Sequence, residues 1–171
     1  MSVAVTASLS LSVVETLETN VAYASGDKAI QHTLADLLAG ITAYASLNGS
    51  TSPPASKGAA WDVTLSAGAA TIDLTALPQA GGGTQSMNGL LARYLVFVNP
   101  VSNANNITIA DGATNGYLLF GDSSGQITLK PGQFVILYCA GNAQTVGGSA
   151  KNIDLTGTGS QVLRVMAVFG S

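Results

Sequence analysis

Charge is what this chain has least of. Only 9% of its 171 residues are Asp, Glu, Lys or Arg, against roughly a quarter in an ordinary soluble domain. Its surface must therefore be built from Ser, Thr, Asn, Gln, Gly and Ala, or be covered by partners. A monomer this uncharged lacks the repulsion that keeps proteins apart in solution, so assembly is expected. The six basic residues, Lys28, Lys57, Arg93, Lys130, Lys151 and Arg164, are scattered singly in a chain of net charge -3. No basic stripe exists to neutralise phosphates, so no nucleic-acid partner is expected.

Cysteine is nearly absent. The single Cys139 cannot form a disulfide within the chain and sits in "FVILYCA", where it reads as a small buried hydrophobe. Long apolar runs are missing as well. No stretch of about 18 purely apolar residues occurs, so no membrane partner is expected. The N-terminal "MSVAVTASLSLSVV" has no basic region and alternates hydroxyls with apolar residues, unlike a signal peptide.

What is present is a period of two. In the first strand-like segment Val3, Val5, Ala7, Leu9, Leu11 and Val13 share one face, and Ala4, Thr6, Ser8, Ser10 and Ser12 share the other. A helix would scatter these side chains; a half-buried strand collects them. The same alternation predicts strands at 61–65, 70–75, 91–98, 106–110, 117–120, 126–129, 133–139, 152–156 and 161–169. Turn signals separate them: "SAG", "PQAGGG", "NPVSNANN", "DGATNG", "GDSSG", "KPG", "GNAQTVGG" and "GTGS". The expectation is one all-β domain over 1–171, an antiparallel jelly-roll-like sandwich of about eight to ten strands. Residues 1–20 are expected as an N-terminal arm or strand used in subunit contacts, with Val3, Val5, Leu9, Leu11 and Val13 as interface candidates.

One segment resists this pattern. Residues 29–38 fit a short helix, with Asp27 as N-cap and Gly40 as stop. They also fit irregular chain leading to a strand at 41–47, where Ile41, Ala43, Ala45 and Leu47 alternate with Thr42, Tyr44 and Ser46. The strands "RYLVFV", "FVILYCA" and "QVLRVMAVFG" carry apolar residues on both faces, which points to a second layer or a neighbouring subunit.

Catalytic patterns are sparse. The nine carboxylates are Glu15, Glu18, Asp27, Asp36, Asp62, Asp73, Asp111, Asp122 and Asp154. A glycosidase needs two of them facing across a sugar, usually with aromatic platforms, and aromatics are only 6%. The tetrapeptide "IDLT" recurs at 72–75 and 153–156, but alternation puts Asp73 and Asp154 on polar faces of two similar strand ends. The single His32 stands in "IQHTLAD" and reads as structural or surface. "AGGGT" lacks the following Lys of a phosphate loop. From Asp111, oxygen-ligand spacing finds Asn115, Gly116 and Asp122, but Ala113 where a ligand belongs. Asp111, Asn115 and Asp122 are thus weak metal candidates beside the plainer reading of tight turns at Asp111-Gly112 and Asn115-Gly116. No catalytic residue, metal or cofactor is expected. Tyr94, Tyr117, Tyr138 and Trp61 are candidate sugar platforms if exposed, and otherwise core.

Five motifs carry a resemblance. They are "STSPPASK" at 50–57, "LSAGAATIDLTAL" at 65–77, "NPVSNANNITIADGATNGY" at 99–117, "LKPGQ" at 129–133 and "IDLTGTGSQ" at 153–161. Together they resemble small virion structural proteins encoded by tailed bacteriophages, over roughly the last 120 residues. The resemblance implies a β-sandwich, jelly-roll-like capsid decoration (cement) protein, not an enzyme. Its partners would be the major capsid protein and copies of itself, usually in trimers, and its place the capsid surface. The alternative is a tail or fibre-tip module that binds host glycans. None of the motifs is catalytic, so no functional residue carries over.

Overall fold

The computed structural model describes residues 6–8, 12–17, 28–33, 46–79, 81–139, 141 and 143–171. The described chain is all-β, with no helix. In order the strands are β1 (Ala7–Ser8), β2 (Ser12–Leu17), β3 (Lys28–Thr33), β4 (Ser46–Leu47), β5 (Lys57–Thr64), β6 (Ala69–Asp73), β7 (Leu77–Pro78), β8 (Thr84–Gln85), β9 (Leu91–Val98), β10 (Ile107–Asp111), β11 (Gln126–Leu129), β12 (Phe134–Tyr138), β13 (Asn152–Thr156) and β14 (Val162–Gly170).

Eight of these form two antiparallel four-stranded sheets, β12-β9-β14-β5 and β11-β10-β13-β6. Counting the eight in chain order, the sheets read 6-3-8-1 and 5-4-7-2. Only the β10–β11 connection stays within a sheet; every other one crosses between sheets. That ordering is a jelly roll. The remaining described strands form three two-stranded pairs, β1-β4, β2-β3 and β7-β8.

Alternation builds the core. Leu95 and Phe97 of β9 and Leu163, Val165, Ala167 and Phe169 of β14 face inward from one sheet. Ile72, Ile107, Ile109, Leu129, Ile153 and Leu155 meet them from the other. Met87, Tyr117 and Val146 close the core from the connections. A bulge interrupts β9: Val168 lies opposite Tyr94 and Phe169 opposite Ala92, leaving Arg93 as the extra residue. The Arg93 guanidinium donates to the Ser171 carbonyl at 2.8 Å.

Two expectations are corrected. Residues 28–33, which take in the first half of the helix considered for 29–38, are strand β3, because β2 supplies an antiparallel partner with Ser12 opposite Thr33 and Leu17 opposite Lys28. The rest of that segment lies outside the described residues, as does 41–45 of the strand expected at 41–47. The strand expected at 117–120 is irregular. Two of its backbone N–H groups go to side chains instead, Leu118 donating to Gln144 Oε1 and Leu119 to Asp111 Oδ1, while Tyr117 donates to the Asn152 carbonyl.

Candidate interaction surface

The two IDLT strands are partners. β6 and β13 pair antiparallel with Ile72 opposite Ile153, Asp73 opposite Asn152 and Asp154 opposite Thr71. The isoleucines are buried and the aspartates share the outer face. Asp154 accepts from Thr71 Oγ1 at 2.7 Å and from the Ala113 amide at 2.8 Å. Asp73 takes the Thr75 amide and the Lys151 ammonium, the latter at 2.7 Å. Burial alone would raise Asp73, but the bonds from Lys151 and Thr75 outweigh it and hold the carboxyl below its ordinary value. Both carboxylates are engaged in holding strand ends rather than aimed at a common substrate.

The weak metal candidates serve loops. Asn115 sits at φ 52°, and its carbonyl accepts from the amides of Lys151 and Asn152. Gly112 lies so close to β13 that a Cβ there would stand 2.6 Å from the Asn152 carbonyl oxygen. Asp122 caps its own turn through the Ser124 amide, which pulls its carboxyl down. Asp111 continues the inward parity of Ile107 and Ile109, so its carboxylate enters the end of the core. Oδ1 accepts from Leu119, and the buried Oδ2 has no hydrogen-bond partner. Burial, and next the charge of Asp122, push this carboxyl up, although the Leu119 bond opposes them. Among the described residues no three His, Cys, Asp or Glu side chains gather as a metal site.

"GDSSG" at 121–125 has the G-x-S-x-G spacing of a nucleophile elbow, contrary to the expectation that the chain holds no such motif. The structure does not support that role. Ser123 lies in an exposed turn that leads into strand β11, whereas the elbow is a strand–turn–helix junction. His32 is in β3, opposite Val13 of β2.

The asparagine-rich motif at 99–106 is structural too. Asn99 is fully buried. Its Nδ2 donates to the Leu129 carbonyl at 2.8 Å and to that of Asn105 at 3.2 Å, and its Oδ1 accepts from Asn103. Asn103 also donates to the Val162 carbonyl, and Gln161 to that of Asn105, each at 2.6 Å. These amides tie the β9–β10 loop to the β11–β12 and β13–β14 turns, satisfying backbone groups where the sheets cross.

The aromatic candidates are mostly core. Tyr94 and Tyr117 are buried, while Trp61 and Tyr138 are half-buried. The Tyr117 hydroxyl accepts from the Ala92 amide. Cys139 is half-buried and lines, with Tyr117, Leu118, Leu137 and Gln144, an open cleft of about 450 Å³.

The two outer sheet faces differ in kind. That of β11-β10-β13-β6 is polar, with Thr128, Thr108 and Thr156 in one row and Gln126, Asp154 and Thr71 in the next. That of β12-β9-β14-β5 is mainly apolar and runs in three rows across the strands. Tyr138, Tyr94, Val168 and Gly58 form the first. Ile136, Val96, Met166 and Ala60 form the second, and Phe134, Val98, Arg164 and Asp62 the third. The chain covers the first row itself: Leu47 and Ala55 pack on Tyr94 and Val168. There Gly170 admits the Pro54 carbonyl into the space a Cβ would occupy. The other two rows are more open, with Met166 50% and Phe134 63% exposed, although Ile136 is half-buried against the same cluster.

Of the interface candidates, Val3, Val5, Leu9 and Leu11 lie outside the described residues, and Val13 is in β2. The open rows on β9, β12 and β14 were signalled in sequence by strands apolar on both faces. Which rows the chain covers itself was not readable there. No protein-family model matches the chain, and no curated protein is similar to it.

Proposed function

We propose that this chain is a structural protein of a bacteriophage particle, a capsid decoration (cement) protein that binds the major capsid protein and copies of itself. The observation that carries this reading is the outer face of the β12-β9-β14-β5 sheet. A sheet face that meets water is ordinarily polar, and the opposite sheet obeys that rule while this one exposes Met166 and Phe134. Fully burying one such side chain contributes roughly 1.5–3 kcal/mol. Repeated at every site of a lattice, contacts of this size favour the assembled shell by mass action. Catalysis has no part in the reading, since Asp73, Asp154 and Asp122 hold strand ends and turns.

The fibre-tip alternative calls for exposed aromatic platforms. Two of the four candidate platforms, Tyr94 and Tyr117, are buried and the other two half-buried, which weighs against it. Co-sedimentation of the purified chain with particles that lack it is the test. Saturable binding in a fixed ratio to capsid protein is expected. No binding to particles, together with reproducible binding on a glycan array, would overturn the proposal in favour of the alternative.

A further inference from the structure

The exposed corner of the apolar face is its own complement. Four exposed residues form a block on β14 and β5: Arg164 opposite Asp62, and Met166 opposite Ala60. Arg164 and Asp62 stand 3.8 Å apart with 66% and 59% of their side chains exposed. In one row a cation lies beside an anion. In the next, a long flexible side chain lies beside a methyl group. A two-fold rotation about a line between the two strands exchanges the members of each row. It places Arg164 of each copy over Asp62 of the other, and Met166 over Ala60. Charge and shape are then matched by one operation, as an isologous contact requires. The block carries no net charge, so a second copy is not repelled.

We propose that two copies of this chain associate face to face through Ala60, Asp62, Arg164 and Met166, about a two-fold axis running between β14 and β5. The contact specifies the self-association part of the function proposed above. It needs no particle, so failure of particle binding leaves it standing.

The test is sedimentation equilibrium of the full chain from micromolar to millimolar concentration, with thermal melting to confirm that each variant folds. The wild type is expected to show a monomer–dimer equilibrium. Met166→Asp should leave it monomeric. Arg164→Glu and Asp62→Arg should each weaken dimerisation about tenfold or more by setting like charges together, and the double exchange Asp62→Arg/Arg164→Glu should restore it. Phe134→Asp, on the far strand β12, should dimerise as the wild type does. A wild type monomeric at every concentration would refute the proposal. So would a Met166→Asp variant that still dimerises, a double exchange without recovery, or loss of dimer in Phe134→Asp.

Discussion

Asp111 shows how parity decides the character of a residue. Sequence alternation ends the strand at 110 and reads Asp111-Gly112 as a turn, but β10 includes Asp111. One further residue on the inward face puts a carboxyl at the end of the core, with Oδ2 unpartnered. Its folded-state value is raised, by burial first, above the ordinary 3.8. The folded chain therefore holds this proton to higher pH than the unfolded chain does. The stability it contributes is present below the ordinary value and is lost as pH rises through the raised one. Asp73 runs the other way: its contribution is present above 3.8 and lost as pH falls through its lowered value. Asp111→Asn keeps an acceptor for Leu119 and removes the charge. In urea unfolding across a pH series, the variant should gain on the wild type as pH rises from the ordinary aspartate value towards neutrality; parallel curves would contradict this. Asn99→Ala leaves the Leu129 carbonyl and the Asn103 amide short of a partner in a buried site. It should cost about 2–3 kcal/mol, read from denaturant midpoints. The outward parity of Asp73 and Asp154 was legible in the sequence. Their pairing with each other's strand was not, because register is set by contacts distant along the chain.

Strands with a strict period of two were legible as elements: 91–98, 126–129 and 152–156 are strands with the expected ends. Elements whose state depends on a partner were not. A helical pattern over 29–38 gives way at 28–33 to the ladder with β2, as tertiary pairing overrides local propensity. Tyr117–Phe120 alternates like a strand, yet two of its amides are taken by Gln144 and Asp111 side chains. The sequence reads 48–58 as a loop after a strand ending at Leu47, but does not show that the strap at 46–56 packs on the sheet. The strap closes on itself through the Ala55 amide, which donates to the Asn48 carbonyl at 2.8 Å, and is pinned by Leu47 and Ala55 on the outer face. Leu47 is fully buried. Leu47→Ala should therefore destabilise by about 2–4 kcal/mol. In limited proteolysis, cleavage within 48–56 should speed up while β10 and β13 stay protected. A variant cleaved no faster than the wild type would show that Leu47 does not hold the strap.

At the scale of the molecule, scarcity of charge and two-sided apolar strands pointed to an assembling β-sandwich, and the strand order makes it a jelly roll. The chain's strap covers one row of the apolar sheet face and leaves Met166 and Phe134 of the other two exposed. Under the proposed function, those exposed residues are where partners meet the protein. The direct measurement of the proposed role is a cryo-EM map of bacteriophage particles that carry this chain. The account predicts jelly-roll density on the outside of the head, with the Met166 face of the β12-β9-β14-β5 sheet turned against a neighbouring subunit. A head without that density, or a sandwich whose Met166 face is open to solvent, would contradict it.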